Sequence, residues 1–279
     1  MNARAKGNLC AAALLLCGSV AVAEEEPSFR LRTHNIAAMT TTASDVEAEI
    51  SFGREVAARV LGRFPLQQDA ELTRYLNLIG TALAAHSSRS DLNFRFALLD
   101  SDSVNAYSAP GGYVFITRGA LMLAQDEAEL AGVIAHEIAH ISERHIVKAL
   151  KIRAADSGGS AGLGRLLSGS SDTARIAFGQ AVDQAVAILF ESGYSQQDEL
   201  ESDQVGTLLL AHSGYDPLAL RRYLERAQAL EQSSAALNTT HPPSRQRLRT
   251  LERVIEEEHL QELTLVRNST RFKRYVKQQ

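Results

Sequence analysis

The chain has 279 residues, 45% of them hydrophobic, and its 29 Lys and Arg against 33 Asp and Glu give a formal net charge of −4. That is enough apolar material for a buried core in one or two domains, and it excludes a collagen-like or disordered chain. The mild acidity gives no electrostatic footprint for nucleic acid, and no apolar run reaches the roughly 18 residues that would span a bilayer as a helix.

The N-terminus reads MNARAKGNLCAAALLLCGSVAVAEEEP. Arg4 and Lys6 precede an apolar run from Leu9 to Val22, and Ala21-Val22-Ala23 precedes three glutamates. A basic start, a short apolar run and an A-x-A site read as a secretory signal over 1–23, cleaved after Ala23. The run is short for an uncleaved anchor, and Leu16 before Cys17 is not the small residue a lipoprotein site takes. Cleavage removes Arg4 and Lys6 and no acid, moving the formal charge from −4 to −6. It also removes Cys10 and Cys17, the only cysteines, so a metal in the mature chain must be held by His, Asp or Glu.

A polar lead over 24–44 precedes the expected domain, 45–258. Residues 45–63, with Val46, Ile50, Val56 and Val60, and 69–86, with Leu72, Leu76, Ile79 and Leu83, have helical periodicity. LNFRFALL (92–99) reads as a strand. Pro110-Gly111-Gly112 is a turn, which makes Tyr113–Thr117 a strand in a hairpin. Asp126 with Glu129 predicts a capping box opening a long helix from 127 to about 153. The Gly- and Ser-rich stretch 156–172 reads as a mobile loop or lid over 157–171. Helices are expected at 173–190, 196–212, 217–231 and 244–258. A basic tail, 259–279, carries Arg267, Arg271, Lys273, Arg274 and Lys277, either a solvated end or a peripheral contact for anionic lipid. No repeat near 34 residues and no Trp occur, which argues against a tetratricopeptide array. The expected fold class is α+β, mainly helical, with a small antiparallel sheet.

The chemistry lies in VIAHEIAHISERH, 133–145. At about 100° per residue His136 and His140 share one face of a helix, a turn apart, while Leu130, Ile134, Ile138 and Ile141 form the core stripe. Two imidazoles on successive turns can share one zinc at about 2 Å. Glu137, between them, can lean over the open position as a general base toward metal-activated water. This is the H-E-x-x-H arrangement; the plainer reading is a surface helix with two solvated histidines. His145, continued on the same helix, points about 160° away and reads as a structural or surface histidine.

A catalytic zinc needs another protein ligand. In SQQDELESDQVG (195–206), Glu199 and Asp203 share a helix face, so Glu199 can reach the metal while Asp203 accepts the outer N–H of His136. Glu201 faces away, and Gly206 permits close helix approach. Taken alone, the segment also reads as a solvated acidic face. His241 in NTTHPPSRQR sits in a loop stiffened by Pro242-Pro243; it is either a fourth ligand or oxyanion residue, or a loop histidine without a role. Arg245 and Arg247 either bind substrate carbonyls or Asp residues, or are surface charges at a helix start. His34, His86, His212 and His259 have no metal-spaced partner.

Together, VNAYSAPGGYVFITRGAL, DEAELAGVIAHEIAHISERH, YSQQDELESDQVG, SGYDP and THPPSRQR resemble the gluzincin metallopeptidase family that includes HtpX, the CAAX-prenyl endopeptidases and the periplasmic BepA-like proteases. The resemblance runs from about Glu47 to Arg249. It implies a zincin-like fold with one zinc on His136, His140 and Glu199, Glu137 as general base and Asp203 as a paired acid. It also implies an edge strand near Tyr113–Thr117 that holds extended substrate by β-addition. The expected form is a minimal BepA-like periplasmic member without a repeat domain, acting on unfolded or misfolded envelope proteins. The alternative is a latent or chaperone-like module holding unfolded chains in the same groove. A purely structural zinc site would leave Glu137 without purpose and would normally use cysteine.

Overall fold

The computed structural model describes residues 43–150, 171–233, 240–242 and 244–276. The expected signal segment, nearly all of the polar lead, the Gly- and Ser-rich stretch up to residue 170, Pro243 and Lys277 lie outside the described residues. In chain order the elements are α1 (Ala43–Arg63), α2 (Ala70–Ala84), β1 (Arg95–Leu99), β2 (Ala106–Ala109), β3 (Tyr113–Thr117), α3 (Arg118–Leu123), α4 (Glu127–Ser142), α5 (His145–Ala149), α6 (Asp172–Ala187), α7 (Gln196–His212), α8 (Ala219–Ser233), α9 (Arg245–Glu257) and α10 (Ser269–Val276). A π-turn, Ile188–Ser192, follows α6. No helix among the described residues is long and apolar enough to cross a membrane.

The fold is mainly helical around a three-stranded sheet of order β1-β3-β2. The β2–β3 hairpin is antiparallel as expected, with Ala109 opposite Tyr113. β1 pairs parallel to β3, with Arg95 opposite Tyr113, so the sheet is mixed rather than wholly antiparallel. This also corrects the expected edge strand: Tyr113–Thr117 is central, and β2 is the edge facing the candidate site. The outer side of β1 is taken by the loop between α1 and α2, where Gln67 N–H donates to Leu98 O at 2.9 Å and Asp100 N–H to Pro65 O at 2.9 Å.

Strand alternation sends the sheet's side chains to two cores. Phe96, Leu98, Val114 and Ile116 meet α2, α4 and α8 on one face. Leu99, Tyr107 and Phe115 meet α1, α5 and α6 on the other. The hairpin turn lies against α1 at Gly53, where a Cβ would stand 1.6 Å from the Pro110 carbonyl oxygen; only a residue without a side chain fits there.

The pivot is α4. Asp126 caps it, accepting from Glu129 N–H at 2.9 Å. The other half of the expected box is displaced by one residue, because Glu129 takes Gln125 N–H at 2.8 Å. Every residue from Glu127 to Ile141 is buried. A helix buried all round has neighbours on each side rather than one apolar stripe and a wet face. The helix expected to run to about 153 stops at Ser142: Arg144 takes a left-handed conformation (φ 57°, ψ 38°), and α5 starts afresh at His145.

The basic tail is helical over Ser269–Val276 because Phe272 and Val276, four apart, both enter the main core. Tyr275 stacks on Tyr75 at 4.3 Å between ring centroids.

Candidate metal centre

Two helices make the centre. Histidines on α4 are met by carboxylates on α7, and the approach is close because position 206 is glycine: a Cβ there would lie 3.1 Å from His136 N. The first turn of α7 is fixed by a capping box, in which Ser195 Oγ accepts from Asp198 N–H while the Asp198 carboxylate accepts from Ser195 N–H.

His136 Nε2 and His140 Nε2 lie 3.1 Å apart. Glu199 Oε2 is 3.4 Å from His136 Nε2, and Glu199 Oε1 is 3.5 Å from His140 Nε2. His241 Nδ1 stands 3.4 Å from His136 Nε2 and 2.8 Å from Glu199 Oε1. Four donors at the 2.0–2.1 Å zinc distance form a tetrahedron with edges of about 3.3–3.4 Å. Most of these separations lie near that edge, and the four donor atoms all fall within 4.8 Å of one another. The residues present therefore fit a divalent ion of zinc's size, held by nitrogen and oxygen.

Charge around the cluster is arranged in depth. Asp203 Oδ1 is 3.0 Å from His136 Nδ1. Arg247 grips Asp203 with two bonds, Nε to Oδ2 at 2.8 Å and Nη2 to Oδ1 at 2.7 Å. It also reaches Glu199 Oε2 at 2.9 Å and donates to the His241 carbonyl at 3.1 Å. Burial raises the Asp203 carboxyl, but Arg247 outweighs it and holds it below its ordinary range. Glu199 is likewise pushed up by burial and drawn well down by His241, Arg247 and the two α4 histidines. Burial pulls the His136 imidazolium down, with Arg247 adding to it; hydrogen bonds to Asp203 and Glu199 overcome both and hold it at about 9. Burial dominates at His140 and keeps it well below its ordinary value.

Glu137 is buried beside the cluster. Its Oε1 is 3.6 Å from His241 Nε2, and its Oε2 has no hydrogen-bond partner among the described residues. His136, Glu137, His241 and Arg247 border a cleft of about 480 Å³, counted to its open mouth. The other walls are mostly apolar, with Val104, Ala120, Val133, Leu220, Tyr223 and Leu224.

Residues 70–255 match the Peptidase family M48. The chain belongs to that family. The gluzincin membership expected from the motifs is borne out, as is a mainly helical zincin-like domain. Among M48 relatives, the beta-barrel assembly-enhancing protease of Escherichia coli (strain K12) is 30% identical over 219 residues, covering 76% of this chain and 44% of that protein. The Yersinia pestis protein of the same name is 32% identical over 65% of this chain and 38% of its own. The mitochondrial metalloendopeptidase OMA1 of Schizosaccharomyces pombe is 30% identical over 66% of this chain and 53% of its own. The chain thus spans about half the length of these M48 proteins or less.

Sequence reasoning brought His136, Glu137, His140, Glu199, Asp203 and His241 forward, and the structure gathers all six. Arg247, one of two arginines with open roles, is buried on Asp203, while Arg245 is exposed. His145 does not face away: the break at Arg144 turns it onto His140, Nδ1 to Nδ1 at 2.9 Å. Tyr194 went unnoticed. Its ring stacks on His140 at 3.9 Å, and its hydroxyl donates to Ser108 O of β2 at 3.3 Å. Nothing local marks that tyrosine, because its place depends on the π-turn and on Gly193 at φ 69°. His86 and His212 pack on each other at 4.8 Å, away from the centre.

Proposed function

We propose that the protein is a zinc-dependent endopeptidase of unfolded or misfolded envelope proteins, exported to the periplasm by a cleaved signal over residues 1–23. His136, His140 and Glu199 would hold the ion, as three protein ligands of a catalytic site. Bound there, zinc supplies Lewis acidity toward a peptide carbonyl and toward water. Glu137 takes the proton of the attacking water and passes it to the departing amine. Asp203 fixes the His136 ring with its proton on Nδ1, leaving Nε2 for the metal, and Arg247 neutralises that acid in a dry setting. Substrate lies extended along β2, the edge strand that leads into the cleft, and apolar side chains exposed by unfolded proteins fill the cleft's walls.

The observation that carries this reading is the buried Oε2 of Glu137. A buried carboxylate oxygen without a partner costs stability, and a catalytic task is a reason for that cost to be kept. It lies beside donors spaced for a tetrahedral ion. Export is supported by the residue pattern of the N-terminus, and the substrate class by the apolar cleft and by relatives named as beta-barrel assembly-enhancing proteases. The test is Glu137→Gln assayed on an unfolded reporter such as casein. Lost cleavage with zinc and fold retained supports the reading, and equal cleavage by both proteins rejects it.

One observation favours a second reading. His241 occupies the fourth corner of the donor set. Held there it closes the site, and the protein becomes a latent or chaperone-like module that binds unfolded chains. His241→Ala separates the two, since latency requires faster cleavage on its removal, whereas an oxyanion role requires slower cleavage.

A further inference from the structure

His145 is used by none of this, yet it is fully buried and tied at both ring nitrogens. Its Nδ1 meets His140 Nδ1 at 2.9 Å and Ser202 Oγ at 3.3 Å. Its Nε2 meets Glu201 Oε2 at 3.1 Å, with Asp198 Oδ1 at 3.7 Å. Glu201 is partly exposed and lies 3.8 Å from Lys148 Nζ. The placement depends on the left-handed Arg144, which ends α4 and aims residue 145 back toward it. Arg144 is anchored in turn by buried Glu49 at 3.2 Å.

Hydrogen-bond arithmetic then fixes two tautomers. His140 offers Nε2 to the donor cluster, so as a neutral ligand it carries its proton on Nδ1. That N–H points at His145 Nδ1, which must accept and therefore be bare. His145 must then carry its own proton on Nε2, where Glu201 accepts it. A chain runs from a half-exposed carboxylate through one imidazole to the back of another. His136 is backed differently, by Asp203 directly. Outer partners of this kind orient a ligating ring and raise its basicity.

We propose that His145 is a positioning residue for His140, with Glu201 as its anchor: the two hold the His140 ring in the tautomer and direction that let Nε2 bind the metal. This rests on the proposed metal centre. Its test uses the full chain, loaded with zinc in competition with a chromophoric chelator. His145→Leu should bind zinc about 10- to 100-fold more weakly. His145→Asn, whose Oδ1 can stand where Nδ1 stood and accept from His140, should recover most of that loss. Glu201→Gln, a change at a partly exposed position, should weaken binding by a smaller factor. Nitrogen-15 spectra of the zinc-loaded protein should show a slowly exchanging His140 Nδ1–H in the wild type and the Asn variant, absent from the Leu variant. A merely structural role would lower the melting temperature without this pattern. Wild-type zinc affinity and a retained His140 Nδ1–H in His145→Leu would overturn the proposal. If that variant fails to fold, unchanged affinity in Glu201→Gln and lost affinity in His145→Asn would together overturn it. A wild type that takes up no zinc would reject the metal centre itself, which sets that failure apart.

Discussion

Two of the three buried glutamates of helix α4 have opposite surroundings. Glu127, in its first turn, is 0% exposed, and both oxygens are saturated: Tyr75 and Tyr215 hydroxyls donate at 2.8 Å each, Asn268 at 3.0 Å, and Arg271 completes the set. Glu137, further along, is 1% exposed, and its Oε2 has no hydrogen-bond partner among the described residues. One residue type on one helix is thus used in two ways. Where every lone pair is taken, the carboxylate ties α2, α8's leading loop and α10 to the core helix. Where one oxygen is left bare, stability is forgone and the proposed chemistry gains a base.

The contrast can be broken from either end. The largest effect is expected at Glu137→Gln, which should lower peptidase activity by about 100- to 10,000-fold while the melting temperature stays level or rises slightly. A fall in both would mean that Glu137 is structural too. Glu127→Ala should do the reverse. It strands two tyrosine hydroxyls and an asparagine, and should cost on the order of 3 kcal/mol of unfolding free energy in urea melts, with zinc affinity of the folded fraction unchanged.

The same end has a pH signature. Burial raises the Glu127 carboxyl, but Arg271, the two tyrosines and Asn268 bring it below its ordinary value of 4.5. The unfolded chain therefore binds the proton first as pH falls. The contribution is complete above that ordinary value and is lost as pH drops through the lower, folded one. Urea melts between neutral pH and acid should show this loss, and Glu127→Gln should flatten it. The smallest effect is expected from Tyr75→Phe, which removes a single donor from Glu127 and should cost about 1 kcal/mol, read in the same melts.

Much of the centre was legible because it is local. The H-E-x-x-H spacing, the Asp126 cap and the i, i+4 pair Glu199 and Asp203 each depend only on helical period. What stayed hidden depends on the path of the chain. No Gly or Pro marks the break at Arg144, so His145 read as the far side of a continuous helix. The parallel pairing of β1 with β3 joins segments across an intervening strand, and a hairpin signal in the sequence cannot say which of its strands will be central. Arg247 looks like any arginine at a helix start until α9 docks on α7 and buries it against Asp203.

The central claim is an ion shared by α4 and α7, and metal analysis of the purified chain tests it most directly. Wild-type protein prepared without chelators should contain zinc equimolar with the chain, and Glu199→Gln should retain the fold while losing most of it. A wild type free of metal, or a Glu199→Gln variant holding as much as the wild type, would contradict the account.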